Sequence, residues 1–152
     1  MKDISYIILC WSLTLCMLWV LHKPPVQIVC ANTEDVRLEL LSKVINAEFN
    51  PDDIEDAFLI GSTVLNRVEL DGFPSTTDSV ILQENQYYGV GTNLFYRTPI
   101  SDSVAEKLLM DCGRNYSVVY FYNQSANKQF KNKLKNSHSF ITETKSHKFF
   151  GK

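Results

Sequence analysis

The sequence predicts an α+β domain, mainly α, with a small β-hairpin or sheet, preceded by one apolar helix at the N-terminus. Three observations predict this. Apolar residues recur at helical spacing in the stretches that begin near Thr33, Asp52 and Ser101. Aromatic and β-branched residues form short runs only near the C-terminus, in "SVVYFYN" and "HSFITETKSHKFF". No Asp, Glu, Lys or Arg occurs from Ile4 to Leu21, and a helix needs about 17–25 such residues to cross a bilayer core.

The apolar segment, residues 1–22, reads as a signal-anchor or a signal. It is long for the apolar stretch of a cleaved signal, typically about 7–15 residues, although "VCA" ending at Ala31 provides a small-residue cleavage site. Either reading exports the chain, with the membrane as a partner through this segment. Residues 23–32, "KPPVQIVCAN", read as a linker, because Pro24 and Pro25 prevent a helix from continuing. The remaining residues, 33–152, form the expected folded domain.

The first domain helix starts near Asn32 or Thr33, with Glu34 and Asp35 in its first turn where the helix dipole favours acids. Its inward stripe is Leu41, Val44, Ile45 and then Glu48. Pro51 disfavours helix at Asn50 and ends it. A second helix runs from near Asp52 to about Val68, with Ala57, Phe58, Gly61, Val64, Leu65 and Val68 on its apolar side. Gly61 on that side lets the two helices approach closely. "DGFPSTT" is a turn, "DSVILQ" a short helix, and residues 85–97 a loop or hairpin with Gly89 and Gly91. "SDSVAEKLLMDCG" is a third helix, with Ser101 as its cap and Gly113 as its stop. "SVVYFYN" is a strand, the basic stretch to Lys135 is loop or helix, and the last aromatic run gives one strand or two.

A length of 152 residues favours one compact domain, and 45% hydrophobic residues can fill its core. A net charge of -2 gives no reason to expect a nucleic-acid partner. The sign is unevenly spread. Acids dominate from Glu34 to Asp78, whereas from Arg114 to Lys152 the only acid is Glu143. A basic C-terminal face suits an anionic partner such as cell-wall polymer or phospholipid, or is simply a solvated lysine face. Of the four cysteines only Cys112 falls in the domain, so there is no disulfide framework and no metal pattern. No cofactor is expected.

Glu48 is the residue that breaks the pattern. It stands where a core residue belongs, at the end of its helix. Partial desolvation and the negative end of the helix dipole both disfavour a carboxylate anion. A carboxylic acid still protonated near neutral pH is what a general acid needs. A glutamate ending an apolar stripe also commonly turns its head to solvent or caps a backbone group, and periodicity alone favours that reading.

The wider pattern resembles the cell wall hydrolase family typified by spore cortex-lytic enzymes. The resemblance rests on an ordered set that spans the whole domain. Ala47-Glu48 ends a helix, Val64 to Val68 reads "VLNRV", and Phe73-Pro74 precedes the short helix with Val80-Ile81. Gln86-Tyr87, Thr98-Pro99, the "YFYN" of Tyr120 to Asn123, and His147 with Phe149 follow in order. The family's glycine and glutamate are replaced here by Pro51 and Asp52, and a proline after "YFYN" by Gln124.

The resemblance implies a lysozyme-like fold, a peptidoglycan partner and extracytoplasmic action. It implies cleavage of the MurNAc-GlcNAc bond as a lytic transglycosylase, with Glu48 as the general acid/base. The alternative is a non-catalytic peptidoglycan-binding module of a phage or cell-envelope assembly. Gln86 and Tyr87 either line the cleft or pack the loop. Tyr120, Tyr122 and Asn123 either form a sugar platform or, for the aromatics, pack the core with Phe121. Asn66 and Arg67 read as structural, and His147 as a packed histidine.

Overall fold

The computed structural model describes residues 33–152. The expected apolar segment and linker lie outside the described residues. Among the described residues no helix is long and apolar enough to cross a membrane.

The domain is mostly helical with one small antiparallel sheet. In chain order it contains α1 (Thr33–Glu48), α2 (Ile54–Val68), α3 (Thr77–Ile81), α4 (Pro99–Leu109), β1 (Tyr120–Asn123), α5 (Lys128–Ser137), β2 (Phe140–Glu143) and β3 (His147–Phe150). Helices α1, α2 and α4 pack on one another around Leu41, Val44, Ile45, Ile60, Val64 and Leu108, all buried. Gly61 makes that packing possible. A Cβ built on it would lie 2.3 Å from Leu108 Cδ1 and 2.9 Å from Ile45 Cδ1, far inside van der Waals contact.

Two helix ends differ from the sequence reading. Helix α4 begins at Pro99, and its cap is Thr98 rather than Ser101. The two residues form a reciprocal box: Ser101 N–H donates to Thr98 Oγ1 at 3.2 Å, and Thr98 N–H donates to Ser101 Oγ at 2.9 Å. Proline at the first helical position then carries no unsatisfied N–H. The helix also stops before Gly113, at Leu109, and the chain turns through Asp111 (φ 61°) and Gly113 (φ 81°). At the start of α2, Asp53 is the cap, its Oδ1 accepting from the Asp56 N–H at 3.3 Å.

The basic stretch before Lys135 is helix α5, and the last aromatic run is two strands. Strand order is β1-β3-β2, so the last strand in sequence is central. Alternation in β1 and β3 sends neighbouring aromatics to different places. Phe149 and Phe121 pack with the main helical core. Tyr122 and Phe150 stack on each other and form a second cluster with Leu134 of α5.

Candidate active site

Glu48 ends α1, and the loop from Asn85 to Arg97 packs against it. The close approach depends on glycine. A Cβ on Gly89 would lie 2.3 Å from Ala47 Cβ and 3.1 Å from the Ala47 carbonyl. Bare of a side chain, Gly89 comes near enough for its N–H to donate to Glu48 Oε1 at 2.7 Å. The carboxyl is half-buried. Its pKa is raised above the ordinary value of 4.5 because burial penalises the anion, and this outweighs the Gly89 and Tyr88 amides and the His147 ring, which all favour it.

Behind Glu48 lies a buried polar knot. Asp56 is fully buried, and His147 is 4% exposed. His147 Nδ1 sits 2.9 Å and 3.0 Å from the two Asp56 oxygens. Asn50 N–H donates to Asp56 Oδ2 at 3.1 Å, and Thr144 Oγ1 donates to Asp56 Oδ1. These bonds tie the end of α1, the start of α2 and the β2–β3 turn together. His147 is therefore a packed histidine, fixed by Asp56.

The larger cleft beside Glu48 has a volume of about 1140 Å³. Glu48, Gln86, Tyr87, Tyr120, Tyr122 and Asn123 all line it. They arrive from α1, the 85–97 loop and β1. Gln86 is exposed, Tyr120 and Asn123 are half-buried, and Tyr87 and Tyr122 are almost fully buried. Tyr122 belongs mainly to the second core cluster and shows the cleft little surface.

Arg67 and Asn66 do the structural bonding expected of them. Asn66 Nδ2 donates to the Val118 and Asn115 carbonyls. Arg67 Nε donates to the Val119 carbonyl at 2.9 Å, directly before β1. Arg67 does more, because it also lines the cleft. Its Nη1 donates to Gln86 Oε1 at 3.3 Å and to the Tyr87 hydroxyl at 3.2 Å. Its guanidinium lies 5.3–5.6 Å from the ring centres of Phe73, Tyr87 and Tyr120. One buried cation thus orders three aromatic walls and one amide. Burial is the largest influence on the Tyr87 phenol, pushing its pKa up to about 12.

Nothing in the sequence near Arg67 marked it as cleft-lining. Its partners Gln86 and Tyr120 are distant in the chain, and only the fold brings them together. Phe130 and Lys133 of α5 also face the cleft. The other carboxylate on its lining is Glu84, which is exposed. Asp52 and Glu55 are exposed, and Asp53 is occupied as a cap. Among the described residues no three His, Cys, Asp or Glu side chains gather as a metal site. Cys112 is exposed and, among the described residues, unbridged. A smaller hollow of about 520 Å³ includes Glu34 and Asp78, but both are exposed, and a hydrogen bond from Thr76 lowers the Asp78 pKa.

Residues 52–150 match the cell wall hydrolase family. The chain belongs to that family. Cell wall hydrolases act outside the cytoplasm, and the chain's activity class is cleavage of wall material. The matched span opens just after Glu48, so it covers the cleft's other walls but not the carboxyl itself.

Two solved structures share the fold. One is the catalytic domain of the Bacillus cereus SleB protein, 16% identical, with a TM-score of 0.63, covering 76% of this chain and 89% of that one. The other is the catalytic domain of the germination-specific lytic transglycosylase SleB from Bacillus anthracis, also 16% identical with a TM-score of 0.63, covering 86% of this chain and 100% of that one. No curated protein matches the sequence significantly.

Proposed function

We propose that this cell wall hydrolase cleaves the bond between N-acetylmuramic acid and N-acetylglucosamine in peptidoglycan, as a lytic transglycosylase on a lysozyme-like domain. The observation that carries the reading is the carboxyl of Glu48. It is half-buried, has a raised pKa and is held by Gly89 beside an aromatic cleft. An acid that keeps its proton near neutral pH can protonate a glycosidic oxygen, and unprotonated that oxygen is a poor leaving group.

Glu48 donates its proton to the bridging oxygen as the bond to the muramic C1 breaks. The Glu48 carboxylate then accepts the proton of the same sugar's 6-hydroxyl as O6 attacks C1. The product carries a 1,6-anhydro ring, and Glu48 is reset. Attack by water instead gives ordinary hydrolysis. On the first route one carboxyl serves in turn as general acid and general base.

The remaining residues have substrate-holding roles. Arg67 occupies the Gln86 carbonyl oxygen, which turns the amide nitrogen outward as a donor for an N-acetyl oxygen. Tyr120, with Tyr87 and Tyr122 behind it, offers ring faces to a sugar, and Asn123 offers an amide to its hydroxyls. Residues 33–152 make up the catalytic domain, and residues 1–22 tether it to the outer face of the membrane or direct its export.

Zymography on purified cell wall tests the reading. Wild type clears, and Glu48→Gln loses about 10²–10⁴-fold of the rate, the usual contribution of a general acid. Clearing by the variant at the wild-type rate removes Glu48 from the mechanism. Binding without products from wild type makes the domain a non-catalytic wall-binding module. Mass spectrometry then separates the outcomes: anhydro ends lack one water relative to reducing ends.

A further inference from the structure

Beside the glycan cleft lies a second recess of about 360 Å³. Lys131 and Lys135 of α5 and Lys145 and Lys148 of the β2–β3 hairpin line it, with Glu143 as the only acid among the described residues of its lining. Tyr122 belongs to both linings, so cleft and recess adjoin at that residue. A neighbouring hollow of about 440 Å³ carries Lys135, Glu143 and Lys148 on as well, so the basic strip continues past it.

The charges there are largely uncompensated. Glu143 is paired with Lys148. Lys131 donates to the Gln124 carbonyl and lies 5.8 Å from the Tyr122 ring centre, and neither partner cancels its charge. Lys135 and Lys145 are exposed and take no part in an ion pair among the described residues. The register explains the convergence. Tyr122, Lys148 and Glu143 are paired across the three strands and so share one sheet face. Leu134 packs α5 onto that face, which brings the lysines on either side of it to the recess rim.

We propose that this recess binds the carboxylates of the peptide stems that hang from the glycan strand lying in the cleft. The inference rests on the peptidoglycan reading above. Muramic acid carries its peptide on a lactyl arm, so a strand in the cleft holds acidic groups off to its side at every second sugar. A positive hollow that adjoins the cleft meets that appendage without the strand moving. The recess thereby selects strands that still carry stems, and it acts on recognition rather than on bond cleavage.

The test compares wild type with Lys135→Glu/Lys145→Glu on two substrates. Both are wall glycans, each assayed with and without its phosphate polymers. One keeps its stems, and the other has lost them to an amidase. Neither lysine touches the Glu48 carboxyl or its amide donor. At low salt wild type cleaves the stem-bearing strands about three- to tenfold faster, the scale of two or three exposed charge contacts. High salt and the double variant both abolish the preference, while rates on bare strands stay equal for the two proteins. Equal rates of wild type on both substrates overturn the inference and leave the peptidoglycan reading intact. So does a preference that survives in the variant. A preference seen only when phosphate polymer remains on the wall also overturns it, because the recess then takes phosphate. No cleavage of either substrate by wild type overturns both.

Discussion

At the residue scale, burial of the Glu48 carboxyl makes stability depend on pH. In the folded chain it holds its proton above the 4.5 of a free glutamate, because burial disfavours the anion. Folding therefore takes up a proton at pH values between 4.5 and the raised value. The stability from this source is fully present below about 4.5 and is lost as the pH rises through the folded pKa. A glutamine at the site never ionises, and its amide oxygen still accepts from Gly89. Glu48→Gln is thus expected to match wild type in acid and to be the more stable protein at neutral pH, with the gap opening as the pH rises. Thermal melts across that range measure it, and a variant less stable than wild type at pH 7 contradicts the burial account. On the proposed acid role the same titration acts on the rate: turnover of wild type is expected to fall as the pH climbs through the raised pKa, because the proton to be donated is gone. That Glu48 was unusual was legible in the sequence, since it alone broke an apolar stripe. Arg67 was not legible, because what marks it is a set of partners, Val119, Gln86 and Tyr87, that no local pattern connects to it.

At the element scale, two glycines do different work that can be separated by experiment. Gly61 lies where α1, α2 and α4 meet, and an added methyl there collides with the ends of Leu108 and Ile45 side chains. Those side chains can give, so Gly61→Ala is expected to lower stability by about 1–3 kcal/mol while leaving the rate per folded molecule near wild type. Gly89 meets the Ala47 methyl and the Ala47 backbone, which cannot give. Gly89→Ala must push the 85–97 loop away from α1 and lengthen the bond from its N–H to Glu48. The expected loss is in turnover, larger than the loss in stability, and the comparison of activity with a denaturation curve for both variants reads it. The helix spacing around Gly61 was visible in the sequence because helix periodicity is local. The cap of α4 was misread for a related reason: Thr98 and Ser101 are both good caps, and the choice between them was settled by Pro99, which fits the first helical position.

At the scale of the whole molecule, the sheet order is what the sequence concealed. Short aromatic runs announce strands, but the pairing β1-β3-β2 depends on contacts that close only after the chain has ended its last helix. The result makes β3 the keystone of both cores. On one side Phe149 enters the main helical core, and on the other Phe150 joins Tyr122 and Leu134. His147 adds the bond to buried Asp56 that fastens the hairpin to α1 and α2. Strands β1 and β2 each pair with β3, so without it the sheet has no ladder. Residues Ala31–Lys152 form a compact unit by themselves, and that fragment is expected to fold alone. A chain ending at Thr144 keeps every helix yet loses Phe149, Phe150 and His147 together. Replacing one buried phenylalanine by alanine already removes about 3–5 kcal/mol, and whole-domain stability is only about 5–15 kcal/mol. The 31–144 fragment is therefore expected to retain helical circular dichroism without a cooperative melt, whereas 31–152 melts in one transition. A sharp melt from the shorter fragment would show that the helices alone carry the fold, and that the cleft wall built by β1 is an appendage rather than part of its core.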